Sequence, residues 1–145
     1  MIWQDDFAPD GALRDIAIPQ VTREDWDAVL RLVETRYQPI RFKDGAAQAN
    51  RIDLCRLFVG DDRPVLPFEA GGVELACHFV DEREIEFDFY PNEIRTEEQL
   101  RPLLRFVAEI GAATSKPAAI TPENAHDLPI FQYSPESGVV HYVGV

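Results

Sequence analysis

The chain has 145 residues, with 26 Asp and Glu against 14 Lys and Arg, so its formal charge is −12. Proteins that bind nucleic acid or anionic membrane surfaces neutralise phosphates with clustered Lys and Arg, and this sequence has no such cluster. No apolar run approaches the roughly 20 residues that span a bilayer. With 46% hydrophobic residues, the composition predicts one globular domain over residues 1–145 that binds neither nucleic acid nor a membrane.

The start of the sequence predicts a soluble cytoplasmic protein. The first residues, MIWQDDFAPDG, are acidic and have neither the basic nor the apolar region of a secretory signal. The two cysteines, Cys55 and Cys77, do not form a CxxC pair. We therefore expect them to be buried core thiols, because an unpaired cysteine behaves as a small hydrophobic residue.

The first predicted elements are a short strand and a helix. Residues 13–18 suit a strand that ends at Pro19. Thr22 then begins a helix, with Asp25 placed to complete a capping box. The apolar stripe of this helix consists of Trp26, Val29, Leu30 and Val33.

The next region is ambiguous. Residues 37–42 suit a strand, and Pro39 indicates an edge position. Residues 44–59 fit either a helix or a buried strand, and we favour the helix because apolar residues recur there at helical spacing. Residues 61–72 are rich in Asp, Pro and Gly and predict an irregular segment.

Residues 73–90 carry the clearest pattern, an alternation of apolar and polar residues that predicts a β-hairpin. With a three-residue loop at residues 81–83, the opposed apolar pairs are Phe79 with Ile85, Cys77 with Phe87, and Leu75 with Phe89. The other face of the hairpin then carries Glu74, His78, Glu86, Asp88 and Tyr90. This second face is predicted to be acidic.

A second helix follows the hairpin. Thr96 and Gln99 have capping-box spacing, and Gly111 is a candidate C-terminal stop. Pro102 predicts either a later start of the main helix or a kink after its first turn. The apolar stripe is Leu100, Leu103, Leu104, Val107 and Ile110.

The remaining residues predict strands and turns. Residues 117–120 suit a strand, residues 121–129 a loop, and residues 130–134 and 139–145 a hairpin closed by a turn that contains Gly138. Strands and helices that do not alternate regularly favour an α+β fold. We expect one antiparallel sheet of about five to six strands packed against two to three helices.

The sequence lacks the common catalytic and cofactor motifs. It has no glycine-rich phosphate loop, no nucleophile elbow and no zinc-protease spacing. His126 lies near Asp127 in the predicted loop, where the residues either shape the turn or join a metal or catalytic cluster, and we favour the turn. His78 lies opposite Glu86 in the predicted hairpin, where a carboxylate would favour a charged imidazole. We expect no catalytic residue, no metal and no cofactor.

Charge is the feature that points to a function. Residues 73–99 contain nine acidic and two basic residues, so 2 − 9 gives −7, more than half of the net charge of the chain. An acidic surface of this kind accelerates the approach of a basic protein. The predicted partner-binding residues are Glu74, His78, Glu84, Glu86 and Asp88. Small acidic immunity proteins, which inhibit toxins that cut nucleic acid, are similar to this chain in size and charge.

Three alternatives stay open. The negative charge could serve solubility alone. The protein could instead be a small-ligand-binding domain or an enzyme, with a pocket between the sheet and the helices that is lined by Trp26, Phe87 and Phe89. It could also have a structural role in a homo-oligomer, joined through the edge strand that contains Pro39 or through the C-terminal strand 139–145. Both a monomer and a homodimer stay open.

Overall fold

Seven strands and three α-helices make up the part of the chain that the computed structural model describes, residues 3–37, Phe58 and residues 65–144. The helices are α1 (Trp3–Asp6), α2 (Arg23–Arg36) and α3 (Glu97–Thr114), and a 3-10 helix covers Pro91–Glu93. The strands are β1 (Arg14–Ile18), β2 (Val65–Ala70), β3 (Val73–Asp81), β4 (Glu84–Phe89), β5 (Ala118–Pro122), β6 (Phe131–Ser134) and β7 (Val139–Tyr142).

The strands form one antiparallel sheet in the order β2-β3-β4-β1-β5-β6-β7. The N-terminal strand β1 therefore lies in the centre, between β4 and β5, although these two strands come much later in the chain. The predicted α+β class with an antiparallel sheet is confirmed, with seven strands where we expected five to six.

The helices and the apolar side chains of the sheet share one face. The ring pairs that join the two layers are Phe106 with Phe87 (5.1 Å between centroids), Trp26 with Phe79 (5.4 Å) and Phe7 with Phe89 (5.7 Å). These rings are all buried and belong to one continuous core. Cys77 is also fully buried in this core, as predicted.

The predicted central hairpin is confirmed, and its turn is one residue shorter than expected. Asp81 pairs with Glu84, so the turn has two residues, and a β-bulge follows His78. Plain alternation from Cys77 sends Phe79 into the core and leaves Val80 exposed. The bulge adds one residue on β3, so Asp81, which plain alternation would turn toward the core, is exposed as well.

Both predicted capping boxes are present. The Thr22 hydroxyl accepts a hydrogen bond from the Asp25 amide, and the Asp25 carboxylate accepts one from the Thr22 amide. Thr96 and Gln99 make the same pair of bonds at the start of α3. Local signals were sufficient here because all the partners lie within one helical turn.

Helix α3 differs from the prediction at two positions. It passes through Pro102 as one continuous helix, and it does not stop at Gly111 but ends at Thr114, where Ser115 adopts a left-handed conformation with φ of 56°. Gly111 serves packing instead, because a Cβ atom there would lie 2.3 Å from Cδ2 of Tyr133. The glycine therefore makes room for a ring on β6.

The prediction of an irregular segment over residues 61–72 is wrong for its second half. Residues 65–70 form β2, which pairs with β3 through a tight turn at Gly71 and Gly72, with φ of 58° and 93°. Pro67 is compatible with this strand because β2 has only one neighbouring strand in the described sheet. Proline and glycine signals, which we took as evidence for a loop, here mark an edge strand and a hairpin turn.

Some predictions lie outside the described residues. These are the strand over residues 37–42, apart from Tyr37, and the helix over residues 44–59 with Cys55, apart from Phe58. Tyr37 does not begin a strand but is the C-cap of α2. Within the described ranges, no helix is both long and apolar enough to cross a membrane.

Candidate binding face

The face of the sheet opposite the three helices carries the acidic side chains of β4. Alternation along β4 sends Ile85 and Phe87 into the core and Glu84, Glu86 and Asp88 to the other side. Their side chains are 28%, 26% and 18% exposed, respectively. We call this side of the sheet the acidic face.

The neighbouring strands add one carboxylate and one histidine to this face. Asp15 of β1 lies opposite Asp88, and His78 of β3 lies opposite Glu86. Ala17 lies opposite Glu86 on the β1 side, so its small side chain leaves space above the sheet. Strand pairing therefore places four carboxylates close together on this face, Asp15 of β1 and Glu84, Glu86 and Asp88 of β4.

His126 completes the group from the loop between β5 and β6. Its Nε2 lies 2.9 Å from Asp15 Oδ2 and 3.8 Å from Glu86 Oε1, and its Nδ1 lies 3.1 Å from Glu84 Oε2. Only the imidazolium form can donate from both ring nitrogens. The geometry therefore favours a positively charged His126 held between carboxylates of two strands.

The backbone of the same loop holds Asp15 in place. The Asn124 amide donates to Asp15 Oδ2 over 3.0 Å, and Asn124 has a left-handed φ of 59° that turns the chain back over the sheet. The Leu13 amide also donates to the side chain of Glu123. As a result the Asp15 side chain is only 3% exposed, although it lies on the face opposite the helices.

His78 pairs with a carboxylate other than the predicted one. It lies opposite Glu86 in the register, but its Nε2 is 2.8 Å from Oδ2 of Asp88, the diagonal neighbour. Nε2 is buried and lacks the alignment of a hydrogen bond, and the contact is an ion pair when the ring is protonated. The predicted contact between His78 and a carboxylate of β4 therefore exists, but the carboxylate is that of Asp88, two residues after Glu86 on the same face.

The pKa values follow from this crowding. The contact with Asp88 raises the pKa of His78, and its partial burial opposes this change only in part. Burial would lower the pKa of His126, but the hydrogen bonds to Asp15 and Glu84 outweigh it and raise the pKa. Burial, and then the charge of Asp15, raise the pKa of Glu86. The protons are therefore bound more tightly than usual at all three groups.

We call these six residues the carboxylate–histidine cluster: Asp15, His78, Glu84, Glu86, Asp88 and His126. Four carboxylates give −4, and two protonated histidines reduce this to −4 + 2 = −2. The ion pairs of Lys and Arg that the described part of the chain makes go elsewhere, to Asp10, Asp25, Glu82 and Glu109. The cluster therefore has histidine as its only counter-charge within that part.

Four of the five predicted binding residues belong to this cluster, and Glu74 does not. Glu74 is exposed near the start of β3, opposite Glu69, and lines an open groove of about 740 Å³ with Tyr90 and Arg95. It is on the same face of the sheet, but none of the described ion pairs includes it. The alternation in the sequence correctly predicts the face of the sheet on which Glu74 lies, but it cannot predict how far Glu74 lies from the cluster.

Sequence reasoning missed Asp15 and favoured turn shaping over a cluster for His126. A signal for Asp15 was present, because it is a charged residue between Leu13 and Ala17 on one side of an otherwise apolar strand. Nothing in the local sequence connects it to His126, which is 111 positions away. The predicted loop over residues 121–129 is confirmed from residue 123 onward, because β5 extends to Pro122. Its histidine contacts β1 and β4 and not the neighbouring Asp127.

The donor atoms of Asp15, Glu86 and His126 lie within 4.8 Å of one another, a spacing that a metal ion could accept. The His126 ring nitrogens, however, both already face carboxylate oxygens. We therefore interpret the cluster as an ionic network with histidine as its cation.

The aromatic residues considered for an internal pocket pack against other rings. Phe87 contacts Phe68 and Phe106, and Phe89 contacts Phe7. Trp26 borders a small depression of about 210 Å³ near Glu82. These contacts are those of an ordinary core.

Comparisons of the chain with protein-family models, with curated proteins and with solved structures find no match.

Proposed function

We propose that the protein is a cytoplasmic binding module whose acidic face docks a basic surface of another protein. The observation that supports this proposal is the carboxylate–histidine cluster, in which four acids crowd onto the face opposite the helices without a lysine or arginine partner among the described residues. A partner with arginine or lysine at its contact surface places a cation against these carboxylates.

The electrostatic cost of the cluster favours a binding role over simple solubility. Acids that serve solubility are best placed apart and in water, where their repulsion is screened. Here Glu86 is about three-quarters buried and its pKa is raised by burial and by Asp15. Such repulsion destabilises the folded state, and a cationic partner relieves it in the complex.

The partner we propose is a basic protein. We propose that the chain binds and inhibits it, as immunity proteins inhibit their toxins. An inhibitor of a nucleic-acid-cutting enzyme must cover a surface that is itself basic, because that surface binds phosphates. An acidic sheet face is complementary in charge to such a surface. The electrostatic part of the binding is expected to appear mainly in the association rate.

The test is capture of partner proteins from the source cells at low and at high salt, with the wild-type chain and two triple variants. E84Q/E86Q/D88N removes three charges from the acidic face. D27N/E98Q/E136Q removes three exposed charges from α2, α3 and the β6–β7 turn and reaches the same net charge.

We expect the face variant to lose the salt-sensitive partner and the control variant to keep it. Equal loss with both variants would mean that net charge alone attracts the partner. Unchanged capture with the face variant would exclude the acidic face as the docking surface.

A further inference from the structure

The cation in the carboxylate–histidine cluster belongs to the protein itself. His126 approaches from the β5–β6 loop and lies across Asp15, Glu84 and Glu86, the carboxylates that an external basic side chain would contact. An arginine or lysine that contacts these carboxylates from above the sheet must compete with the ring for their oxygens.

We propose that His126 is a built-in competitor for the basic side chain of the partner, so that binding requires the imidazolium to leave its carboxylates. This inference rests on the proposed function and deepens it, because it concerns the regulation of the same site. The ring is one-quarter exposed, so it can turn away from the sheet without movement of a core residue.

The backbone contacts of the loop do not depend on the ring. The Asn124 amide still donates to Asp15, and the Ile130 amide still donates to the Ile120 carbonyl. The exchange therefore needs only a rotation of one side chain. Its product is an arginine or lysine in contact with the acids and a histidine exposed to water.

This exchange couples binding to pH. In the unbound protein the imidazolium is held by carboxylates, and after displacement it lies next to a cation, which favours the neutral ring. Above the ordinary histidine value of 6.5, the displaced ring releases its proton to the solvent. By linkage, affinity for the basic partner rises with pH through this range.

The charged groups around the ring come from three elements. Asp15 faces it from β1, Glu84 and Glu86 face it from β4, and Asp127 is its neighbour in the loop. His78 contributes a second proton on the same face through Asp88. Part of any pH dependence will therefore remain when His126 is replaced.

The experiment uses an octa-arginine peptide as the probe and measures its affinity by calorimetry at pH 6.0, 7.0 and 8.5. The variants are H126Q, which removes the charge and keeps a hydrogen-bonding side chain, and H126A, which removes the ring. H141Q, which replaces an exposed histidine on β7, is the control.

We expect H126Q and H126A to bind the peptide about tenfold more tightly than the wild type at pH 6.0, the scale of one charge-assisted contact. The difference should shrink at pH 8.5, and H141Q should match the wild type. Equal or weaker binding by both His126 variants at pH 6.0 would overturn the competitor role.

The face variant E84Q/E86Q/D88N separates this failure from failure of the proposed function. If it loses peptide binding while the His126 variants show no gain, only the competitor role is wrong. If it binds the peptide as the wild type does, or if no variant binds, the acidic face is not a cation-binding surface and both proposals are wrong.

Discussion

His126 and Asp15, 111 positions apart in the chain, meet with Nε2 2.9 Å from Oδ2 on the face of the sheet opposite the helices. The contact joins the central strand β1 to the β5–β6 loop. Through this contact, a histidine of the loop contributes to the stability of the fold and to the charge of the acidic face.

The stability of the fold is expected to fall as pH rises through the range in which the cluster loses protons. His78 and His126 have pKa values raised above 6.5 in the folded state, so their stabilising contribution is fully present below pH 6.5 and is lost as pH rises through the folded values. The raised pKa of Glu86 acts in the same direction at lower pH, because its ionisation costs the folded state more than the unfolded chain.

Urea unfolding between pH 5.5 and pH 9 measures this dependence. H126Q should give a flatter profile than the wild type, and H141Q, an exposed histidine on β7, is the matched control. If the free energy of unfolding of the wild type instead rises with pH over this range, the two histidines do not hold their protons more tightly in the folded state.

Loss of the Asp15 charge is expected to weaken the hold on His126. D15N keeps an acceptor for the Asn124 amide but removes the carboxylate beside the ring. We expect a loss of about 1–2 kcal/mol in the free energy of unfolding at pH 6, the usual value of a charge-assisted hydrogen bond, and a smaller loss at pH 9. An NMR titration of the His126 ring should show its pKa shifting downward. D127N, at the exposed loop acid next to His126, should change neither quantity.

Substitution of Gly111 tests the packing of α3 on β6. In an exposed helix, replacing glycine with alanine stabilises by up to about 1 kcal/mol. Here the added methyl group would lie 2.3 Å from the Tyr133 ring, so we expect G111A to destabilise by about 1–3 kcal/mol. A112S, on the exposed side of the same helix, should stay within about 0.5 kcal/mol of the wild type. Thermal unfolding of the two variants measures these changes. If G111A is more stable than the wild type, Gly111 does not lie against the Tyr133 ring as described.

Arg14 is expected to be one of the strongest polar contributions to stability. Its guanidinium is buried and donates to the carbonyl groups of Asp6, Ala8 and Leu13 and to the Asp10 carboxylate. R14M keeps most of the side-chain volume and removes these donors, while Asp10 keeps the hydrogen bond from the Ala12 amide. We expect a loss of roughly 2–4 kcal/mol in urea unfolding.

The control for this prediction is R36A, which removes an exposed arginine paired with Glu109 and should cost less than about 1 kcal/mol. A cost of R14M no larger than that of R36A would mean that the N-terminal segment is held by its apolar contacts alone.

The sequence by itself determined the features whose physical causes are local. The hairpin of β3 and β4 follows from alternation, because a slip of one residue would expose half of its apolar face. The starts of α2 and α3 follow from Thr22 and Thr96, whose capping partners lie three residues away. For the same reason the acidic side of β4 could be predicted before any strand order was known.

Only the tertiary structure decided which distant residues share that side. Asp15 and His126 join the cluster because β1 inserts between β4 and β5, and strand order depends on the burial of the whole core, which no local pattern encodes. Gly111 shows the same limit, since its role depends on Tyr133 of a strand that follows it. A residue's face is set by its neighbours in the chain, whereas its partners are set by the packing of the complete sheet.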